Sequence, residues 1–207
     1  SAPSVMFQSF EMSNSEQQTR HDAMRAHISH NNLRRGTLSD TEELAYRKML
    51  DQMGQMPNPM TLTDSTSGTT VSMLAAKIDD LGRPDFIVID GVYLMIDEIS
   101  GEQNTPLAIT NITRSLKRLA QNIERPVFIT TQALQWKMKK TRLNSQSAGY
   151  SSSFVQDSDV VLGLERVDDE IDDVRILRVI MSRNCGPVEA YLRWDFEHGR
   201  FEEEGEL

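Results

Sequence analysis

The sequence predicts an α/β fold in which helices flank a mostly parallel sheet and an antiparallel hairpin follows. The run Asp85 to Asp90 is continuously apolar before its final carboxylate, which is typical of a strand buried on both faces of a parallel sheet. Thr105 and Pro106 then begin a helix, and a second apolar strand runs from Pro126 to Thr131. A strand, a helix and a strand in this order imply right-handed crossovers and a parallel sheet.

The crossover helix has an apolar stripe at helical spacing, formed by Ile109, Ile112, Leu116 and Leu119. After Asp159 the pattern changes to strands alone, which are Val160 to Leu164, Val174 to Ser182 and Ala190 to Phe196. Acidic residues from Glu165 to Asp173 predict a solvated hairpin turn, and the acidic tail from Glu202 to Leu207 predicts a frayed terminus.

The first part of the chain reads as a strand, two helices, a strand and a helix. Val5 to Phe10 is a short apolar strand, and the S-x-x-E pattern of Ser13 and Glu16 caps a helix that is predicted to run to about His30. The cluster from Asn31 to Gly36 is expected to interrupt it. The later elements are a helix opened by the capping box Ser39 to Glu42 and ended by Pro57 and Pro59, a strand at Met60 to Thr63, and a helix from Thr69 or Thr70 to Leu81.

The composition favours one soluble domain spanning residues 1–207, with 38% hydrophobic and 26% charged residues. The single cysteine, Cys185, permits no internal disulfide and no cysteine-rich metal site. No long apolar run or signal peptide is evident, so we expect no membrane contact and a cytoplasmic location. The net charge of -9 limits any nucleic-acid contact to a local patch, for which the WKMKKTR segment from Trp136 to Arg142 is the candidate.

Three predicted strands end in polar side chains, namely Glu11, Asp90 and Gln132. Any one of them could simply terminate a buried strand. Ligands of open parallel sheets bind at the carboxyl ends of the strands, where these three residues would meet. A nucleotide hydrolase needs three such groups, which are a carboxylate that holds a metal, a carboxylate that polarises water and an amide that senses a phosphate.

These strand ends and their neighbours resemble the RecA-type ATPase domain of DnaB-like replicative helicases along nearly the whole chain. The matching segments, in chain order, are Phe7 to Ser13 with Gln17 and Arg20, Leu33 to Asp40, Ile87 to Asp90 with Leu94 and Met95, Ser115 to Ala120, Phe128 to Gln132, Gln156 to Val161, Arg183 to Pro187, and Phe196 to Phe201. The resemblance implies a RecA-like core and ATP hydrolysis at the subunit interfaces of a homo-hexameric ring that moves along single-stranded DNA.

By position in the family pattern, Glu11 would activate the attacking water, Asp90 would hold Mg²⁺ through water and Gln132 would sense the γ-phosphate of ATP. Arg166 joins Asp90 as an expected nucleotide-binding residue. The loop from Ala133 to Ser153 lies where the family contacts DNA, so we expect its cations to bind phosphates. They are Lys137, Lys139, Lys140 and Arg142, and the alternative is an ordinary exposed loop. A primase and a helicase loader are the further partners that the resemblance implies.

The sequence departs from the family pattern in two places. No G-x-x-x-x-G-K-[ST] motif occurs, so we expect the phosphate-binding loop and its strand, which precede the Glu11 strand in the family, to be missing from this chain. A fragment, a split protein or a degenerate relative would each explain this. Arg183 is the candidate arginine finger, although it lies one residue from the expected position. A non-hydrolysing ring or adaptor component and a RecA-like or KaiC-like ATPase therefore remain alternatives.

Overall fold

The computed structural model describes residues 3–57, 60–65, 68–132, 153–167 and 173–204. It confirms the α/β class, with a first sheet of parallel strands and a second sheet that contains antiparallel pairs. The described elements, in chain order, are β1 (Val5–Ser9), α1 (Asn14–Ala26), α2 (His30–Arg35), α3 (Asp40–Gly54), β2 (Thr61–Asp64), α4 (Val71–Asp80), β3 (Phe86–Asp90), α5 (Pro106–Ile123), β4 (Val127–Ile129), α6 (Ser153–Asp157), β5 (Val160–Arg166), β6 (Val174–Ser182), β7 (Glu189–Asp195) and β8 (Arg200–Glu204).

The first sheet has the strand order β2-β1-β3-β4 and places its carboxyl ends side by side. Ser9 at the end of β1 is in register with Asp90 at the end of β3. Ile89 is in turn in register with Ile129 at the end of β4. Polar residues that follow these strands are therefore delivered to one edge of the sheet, as the sequence predicted.

The core of this sheet is built from alternate side chains of the strands and from the apolar stripes of α4 and α5. Ile87 and Ile89 of β3 are fully buried, and each contributes about 1.5–3 kcal/mol by leaving water. The predicted stripe of α5 is confirmed, because Ile109, Ile112, Leu116 and Leu119 all belong to the buried cluster. Thr105 caps α5 by accepting a hydrogen bond from the Ala108 amide at 3.2 Å, as expected for a start with proline in its first turn.

The strand β4 is shorter and less buried than predicted. It spans three residues, and Phe128 in its centre remains 44% exposed. Within the described ranges β4 pairs only with β3 and forms the edge of its sheet, so one of its sides is not covered by a neighbouring strand. The apolar strand expected from Pro126 to Thr131 is therefore present in shortened form, at the edge of the described sheet.

The predicted single helix up to about His30 is also wrong, because α1 ends at Ala26 and a separate helix, α2, begins at His30. His27 has a positive φ of 53°, which breaks the helical path. The Ser29 hydroxyl then caps α2 by accepting from the Asn32 amide at 3.0 Å, and Gly36 ends it in the left-handed conformation. The cluster expected to interrupt a helix is thus a short capped helix itself.

Part of the acidic tail forms a strand, where a frayed terminus was predicted for Glu202 to Leu207; residues 205–207 lie outside the described part of the chain. Glu202, Glu203 and Glu204 belong to β8, which pairs antiparallel with β7. Trp194 lies opposite Phe201 across the pair, with the rings edge to face and their centroids 4.7 Å apart. This aromatic pair stabilises the hairpin by about 0.5–1.5 kcal/mol beyond burial. Glu202 and Glu203 are exposed on the strand, whereas Glu204 is half-buried and pairs with Arg193.

The chain divides into two compact units. The first comprises Ser1–Asn14, Asn58–Val161 and Ile180–Cys185, and it contains the parallel sheet and its core. The second comprises Ser15–Pro57, Leu162–Val179 and Gly186–Leu207. In the second unit the Tyr46 hydroxyl donates to the buried Asp22 at 3.1 Å. The single domain over residues 1–207 stays a prediction. No helix among the described residues has the length and apolar character needed to cross a membrane.

Candidate active site

The carboxyl ends of β1, β3 and β4 bring Glu11, Asp90 and Gln132 into one hydrogen-bonded group within the first unit. Asp90 is half-buried, whereas Glu11 and Gln132 are exposed. A site that must admit a ligand needs this combination of an anchored group and accessible groups. The three residues singled out at the strand ends therefore do lie together.

Asp90 is held by two hydroxyl groups, one from each neighbouring strand. The Thr130 hydroxyl donates to Oδ1 of Asp90 at 2.8 Å, and the Ser9 hydroxyl donates to Oδ2 at 3.2 Å. The Thr130 oxygen also accepts a hydrogen bond from the buried Gly91 amide at 2.9 Å. Because the donors lie on both sides of β3, they fix the rotation of the carboxylate about its own axis.

The Ser9 hydroxyl uses its full hydrogen-bonding capacity. Besides donating to Asp90, its oxygen accepts from the backbone amides of Glu11 at 3.2 Å and Met12 at 3.0 Å. A serine hydroxyl has one donor hydrogen and two acceptor lone pairs, so all three are engaged. Ser9 is fully buried, and it ties the backbone that carries Glu11 to the carboxylate of Asp90.

Tyr93 joins the two exposed members of the group. Its hydroxyl donates a short hydrogen bond to Oε1 of Glu11 and accepts one from Nε2 of Gln132 at 2.8 Å. Its ring is only 9% exposed and belongs to the core of the first unit. Tyr93 was not predicted as a site residue, because its sequence context marks it only as one of the apolar positions that follow Asp90.

Gly91 makes room for the Glu11 side chain. It has a φ of +82°, in the left-handed region that glycine adopts without steric cost. A Cβ atom at this position would lie 2.9 Å from Cγ of Glu11. The glycine therefore serves both the turn after β3 and the close approach of the neighbouring carboxylate.

The chemistry of the donor set fits Mg²⁺ held through water. Among the described residues, no group of three or more His, Cys, Asp or Glu side chains could form a closed metal site. Mg²⁺ usually keeps several waters and binds through one or two carboxylates together with substrate phosphates. The single carboxylate of Asp90 has two hydrogen bonds and about four lone-pair positions, which leaves capacity for metal-bound water.

The Q-D-S-D segment is anchored to α5 at two positions one helical turn apart. The Thr113 hydroxyl donates to Asp157 at 2.7 Å, and the Lys117 ammonium contacts Asp159 at 2.5 Å. The Lys117 hydrogen bond lowers the pKa of the Asp159 carboxyl below its usual value. These contacts favour a structural role for both aspartates.

Arg183 is bound within its own unit. Its guanidinium donates to the backbone carbonyl of Ser158 at 3.2 Å and to that of Gln156 at 2.9 Å, and it lies 3.6 Å from the Asp159 carboxylate. The first unit thus uses this arginine to hold the segment that links α6 to β5. To reach the nucleotide of a neighbouring subunit, the side chain would have to exchange all three contacts.

The roles predicted for the remaining residues stay predictions. Arg166 is the exposed last residue of β5 and belongs to the second unit. The four cations Lys137, Lys139, Lys140 and Arg142 lie outside the described residues, as does Trp136. A cleft of about 110 Å³ near Asp97, Glu98 and Ile112 contains none of the strand-end residues. The site is therefore located by its chemistry and not by a cavity.

A parallel sheet with two carboxylates and an amide at the ends of three adjacent strands defines an α/β domain of the RecA type. The sequence profile of the family described as DnaB-like helicase C terminal domain matches residues 1–203. The chain belongs to this family.

Three curated relatives are described as replicative or probable replicative DNA helicases. The chain is 28% identical to "Replicative DNA helicase DnaC" of Bacillus subtilis over 78% of its own length and 37% of the relative. It is 29% identical to "Replicative DNA helicase DnaB" of Geobacillus stearothermophilus over 87% of its length and 41% of the relative. A "Probable replicative DNA helicase" of Trieres chinensis is 26% identical over 95% of the chain and 46% of the relative. The chain thus spans less than half of each of these relatives.

Solved structures share the fold. The structure described as a DnaB-like replicative helicase and its interactions with primase superposes with a TM-score of 0.84 at 19% identity, covering 96% of this chain and 51% of that one. A second structure, described as an ATPase domain, superposes with a TM-score of 0.85 at 20% identity, covering 96% of this chain and 74% of that one. These matches support the RecA-like fold predicted from the sequence.

Proposed function

We propose that the chain is the ATPase part of a replicative DNA helicase, which hydrolyses ATP at the subunit interfaces of a homo-hexameric ring and moves along single-stranded DNA. The observation that carries the proposal is the group formed by Glu11, Asp90 and Gln132 at the ends of three adjacent strands. Membership of the DnaB-like family supports the same function. A cytoplasmic location is part of the proposal.

In the proposed mechanism each strand-end residue has one task. The Glu11 carboxylate orients the attacking water and accepts its proton. Asp90, held by Ser9 and Thr130, would hold Mg²⁺ through water, and the ion would supply positive charge that neutralises the phosphates of ATP. The exposed amide of Gln132 donates to the γ-phosphate and responds to its loss. Arg166 is proposed as a further nucleotide contact.

The decisive experiment replaces Glu11 by Gln in the full-length protein. The substitution keeps the size of the side chain but removes the base, so we expect steady-state ATP turnover in the presence of single-stranded DNA to fall by about 10²–10⁴. Binding of a fluorescent ATP analogue should be retained. Glu43→Gln is the matched control, because Glu43 is exposed on α3 and pairs only with Arg47 among the contacts described for it. Unchanged turnover in the Glu11 variant would contradict the proposal.

The DNA contact is proposed for Lys137, Lys139, Lys140 and Arg142. Binding of single strands should weaken with salt, because each phosphate contact releases counterions. The logarithm of the affinity falls as the logarithm of the salt concentration rises. Replacing the four cations by Ala should make this negative slope less steep, by about 0.7 for each phosphate contact that is lost. An unchanged slope in a fluorescence-anisotropy titration would show that the loop contacts no phosphate.

Primase and a helicase loader are proposed as partners. The description of one structural neighbour names primase for that protein.

The second candidate function is a ring or adaptor component that does not hydrolyse ATP. The contacts of Arg183 inside its own unit favour it, since they occupy the arginine that was expected to act in trans. The absence of a G-x-x-x-x-G-K-[ST] motif from these 207 residues is compatible with it. ATP turnover by the full-length wild-type assembly decides between the two, because an adaptor would show none.

A further inference from the structure

Tyr93 has a polar end whose position is set by the core. Its ring is 9% exposed and packs in the cluster that contains Ile89 and Ile112. Its backbone lies in the 3-10 turn Val92–Leu94, which the Val92 amide anchors to the Thr130 carbonyl at 3.2 Å. A ring fixed in this way cannot move its hydroxyl by a simple rotation, because rotation about the long axis of the ring leaves the hydroxyl oxygen in place.

The directions of the two hydrogen bonds at the hydroxyl follow from the groups themselves. A carboxylate only accepts and an amide nitrogen only donates, so the tyrosine hydrogen points to Glu11 and its oxygen receives the Gln132 hydrogen. The hydroxyl is thus a link between the two exposed residues of the site. Hydrogen bonds in such a chain strengthen one another, so a change at one end alters the bond at the other.

We propose that Tyr93 is a positioning residue that fixes the orientation of the Glu11 carboxylate and makes it depend on the contact of Gln132. When the Gln132 amide turns to a phosphate oxygen, the tyrosine oxygen loses this hydrogen bond and its own bond to Glu11 weakens. The carboxylate keeps the orientation that the Tyr93 hydroxyl sets, and the weaker bond leaves it a stronger acceptor for the attacking water when a phosphate is present. This role rests on the proposed function, in which Glu11 activates water and Gln132 senses phosphate.

The simpler alternative is that Tyr93 only fills the core. Phenylalanine would fill the same space, since the ring supplies the packing and the hydroxyl supplies the link. Tyr93→Phe therefore separates the two roles. The matched control is Tyr46→Phe, which also removes a tyrosine hydroxyl that donates to a carboxylate, that of Asp22 at 3.1 Å, in the second unit.

The kinetic test uses the full-length protein with single-stranded DNA. We expect Tyr93→Phe to lower kcat for ATP by about 10- to 100-fold, the range that is typical when a partner that orients a metal-binding side chain is lost. The KM for ATP should change less than twofold, and Tyr46→Phe should keep the wild-type kcat. A reduction of kcat by less than tenfold overturns the proposal. The proposal is also overturned if the reductions of kcat in Tyr93→Phe and in Gln132→Ala simply multiply in the double variant, because substitutions at residues of one hydrogen-bond network have non-additive effects.

A spectroscopic test works without turnover and covers the case in which Tyr93→Phe does not fold. With 3-fluorotyrosine at position 93, the ¹⁹F signal reports the hydrogen bonding of the phenol. We expect this signal to shift in Glu11→Gln and in Gln132→Ala, and to stay unchanged in Glu43→Gln. A signal that neither site substitution moves would refute the link. If the signal responds but wild-type protein hydrolyses no ATP, the link stands and the proposed function is the part that has failed.

Discussion

Thr130→Val replaces one hydroxyl by a methyl group of similar size and so changes the surroundings of Asp90 with little change in packing. The hydroxyl has two tasks in the structure, because it donates to Asp90 at 2.8 Å and accepts from the Gly91 amide at 2.9 Å. Its removal leaves the Ser9 hydroxyl, at 3.2 Å, as the remaining side-chain donor described for the carboxylate. The longer bond alone fixes the carboxylate poorly.

The size of the effect follows from these two losses. Loss of a partner that orients a metal-binding side chain typically costs 10- to 100-fold in metal affinity or activity, so we expect the half-saturating Mg²⁺ concentration to rise by about that factor. The Gly91 amide is buried and would lose its acceptor, which costs about 1–3 kcal/mol of stability. The carboxylate itself is unchanged, so high Mg²⁺ should restore most of the turnover.

The assay is steady-state ATP hydrolysis by the full-length protein as Mg²⁺ is varied at constant ATP. Thr131→Val is the control, because the Thr131 hydroxyl oxygen is buried and makes no hydrogen bond with the described part of the chain. Thr131→Val should keep the half-saturating Mg²⁺ concentration of the wild type. If both variants show the same midpoint as the wild type, Thr130 does not orient a metal-binding group and the reasoning is wrong.

Three further predictions concern the turn after β3, the start of α3 and the arginine near the end of β6. Gly91→Ala should cost about 1–2 kcal/mol in stability and also suppress ATP turnover by displacing Glu11. The control is Gly82→Ala, because Gly82 also has a positive φ, of +76°, but a Cβ atom there would have no other atom within 4 Å. Gly82→Ala should therefore cost stability alone. Equal turnover of the two glycine variants would contradict this. Hydrogen bonds from Ser39 lower the pKa of Glu42 from 4.5 to about 2, so its stabilisation of α3 is present above pH 4.5 and is lost as the pH falls toward about 2. Hydrogen exchange in α3 should show this loss, and Glu42→Gln should remove that part of the acid dependence; identical titrations would refute it. Arg183→Ala should reduce ATP turnover less than about tenfold if the side chain mainly holds its own unit, while a loss of about 10³–10⁵ would identify it as the arginine finger.

The sequence predicted the parallel sheet and the three strand-end residues because these depend on local patterns. Apolar runs that stop at a polar residue are visible along the chain, and the ends of parallel strands meet at one edge whatever their order. The order β2-β1-β3-β4 itself depends on tertiary pairing, which no local pattern records. For the same reason the exposure of Phe128 at the edge strand was not foreseen.

Side chains that support the site were harder to find than those that end strands. Ser9 and Thr130 are small polar residues of common type, and only the register of their strands shows that both hydroxyls reach Asp90. Tyr93 reads as a core residue, and its ring is one. The role of its hydroxyl depends on where the ring points, which is a property of the packed structure.

The short helix α2 could have been predicted from signals that were present. Ser29 before the helix and Gly36 after it are the residue types that start and end helices. The asparagines and arginines between these caps instead suggest an interruption of the helix. The hydrogen bonds of the two caps therefore determine the structure of this segment more than its composition does.

The buried hydroxyl of Ser9 has a consequence for how this edge of the sheet can change. Since all three of its bonds are in use, the loop that leaves β1 and the carboxylate at the end of β3 cannot shift independently. A displacement of the Glu11 backbone stretches the bond to Asp90, and a rotation of Asp90 pulls on the same oxygen. A displacement of either acid is therefore transmitted to the other through the Ser9 oxygen.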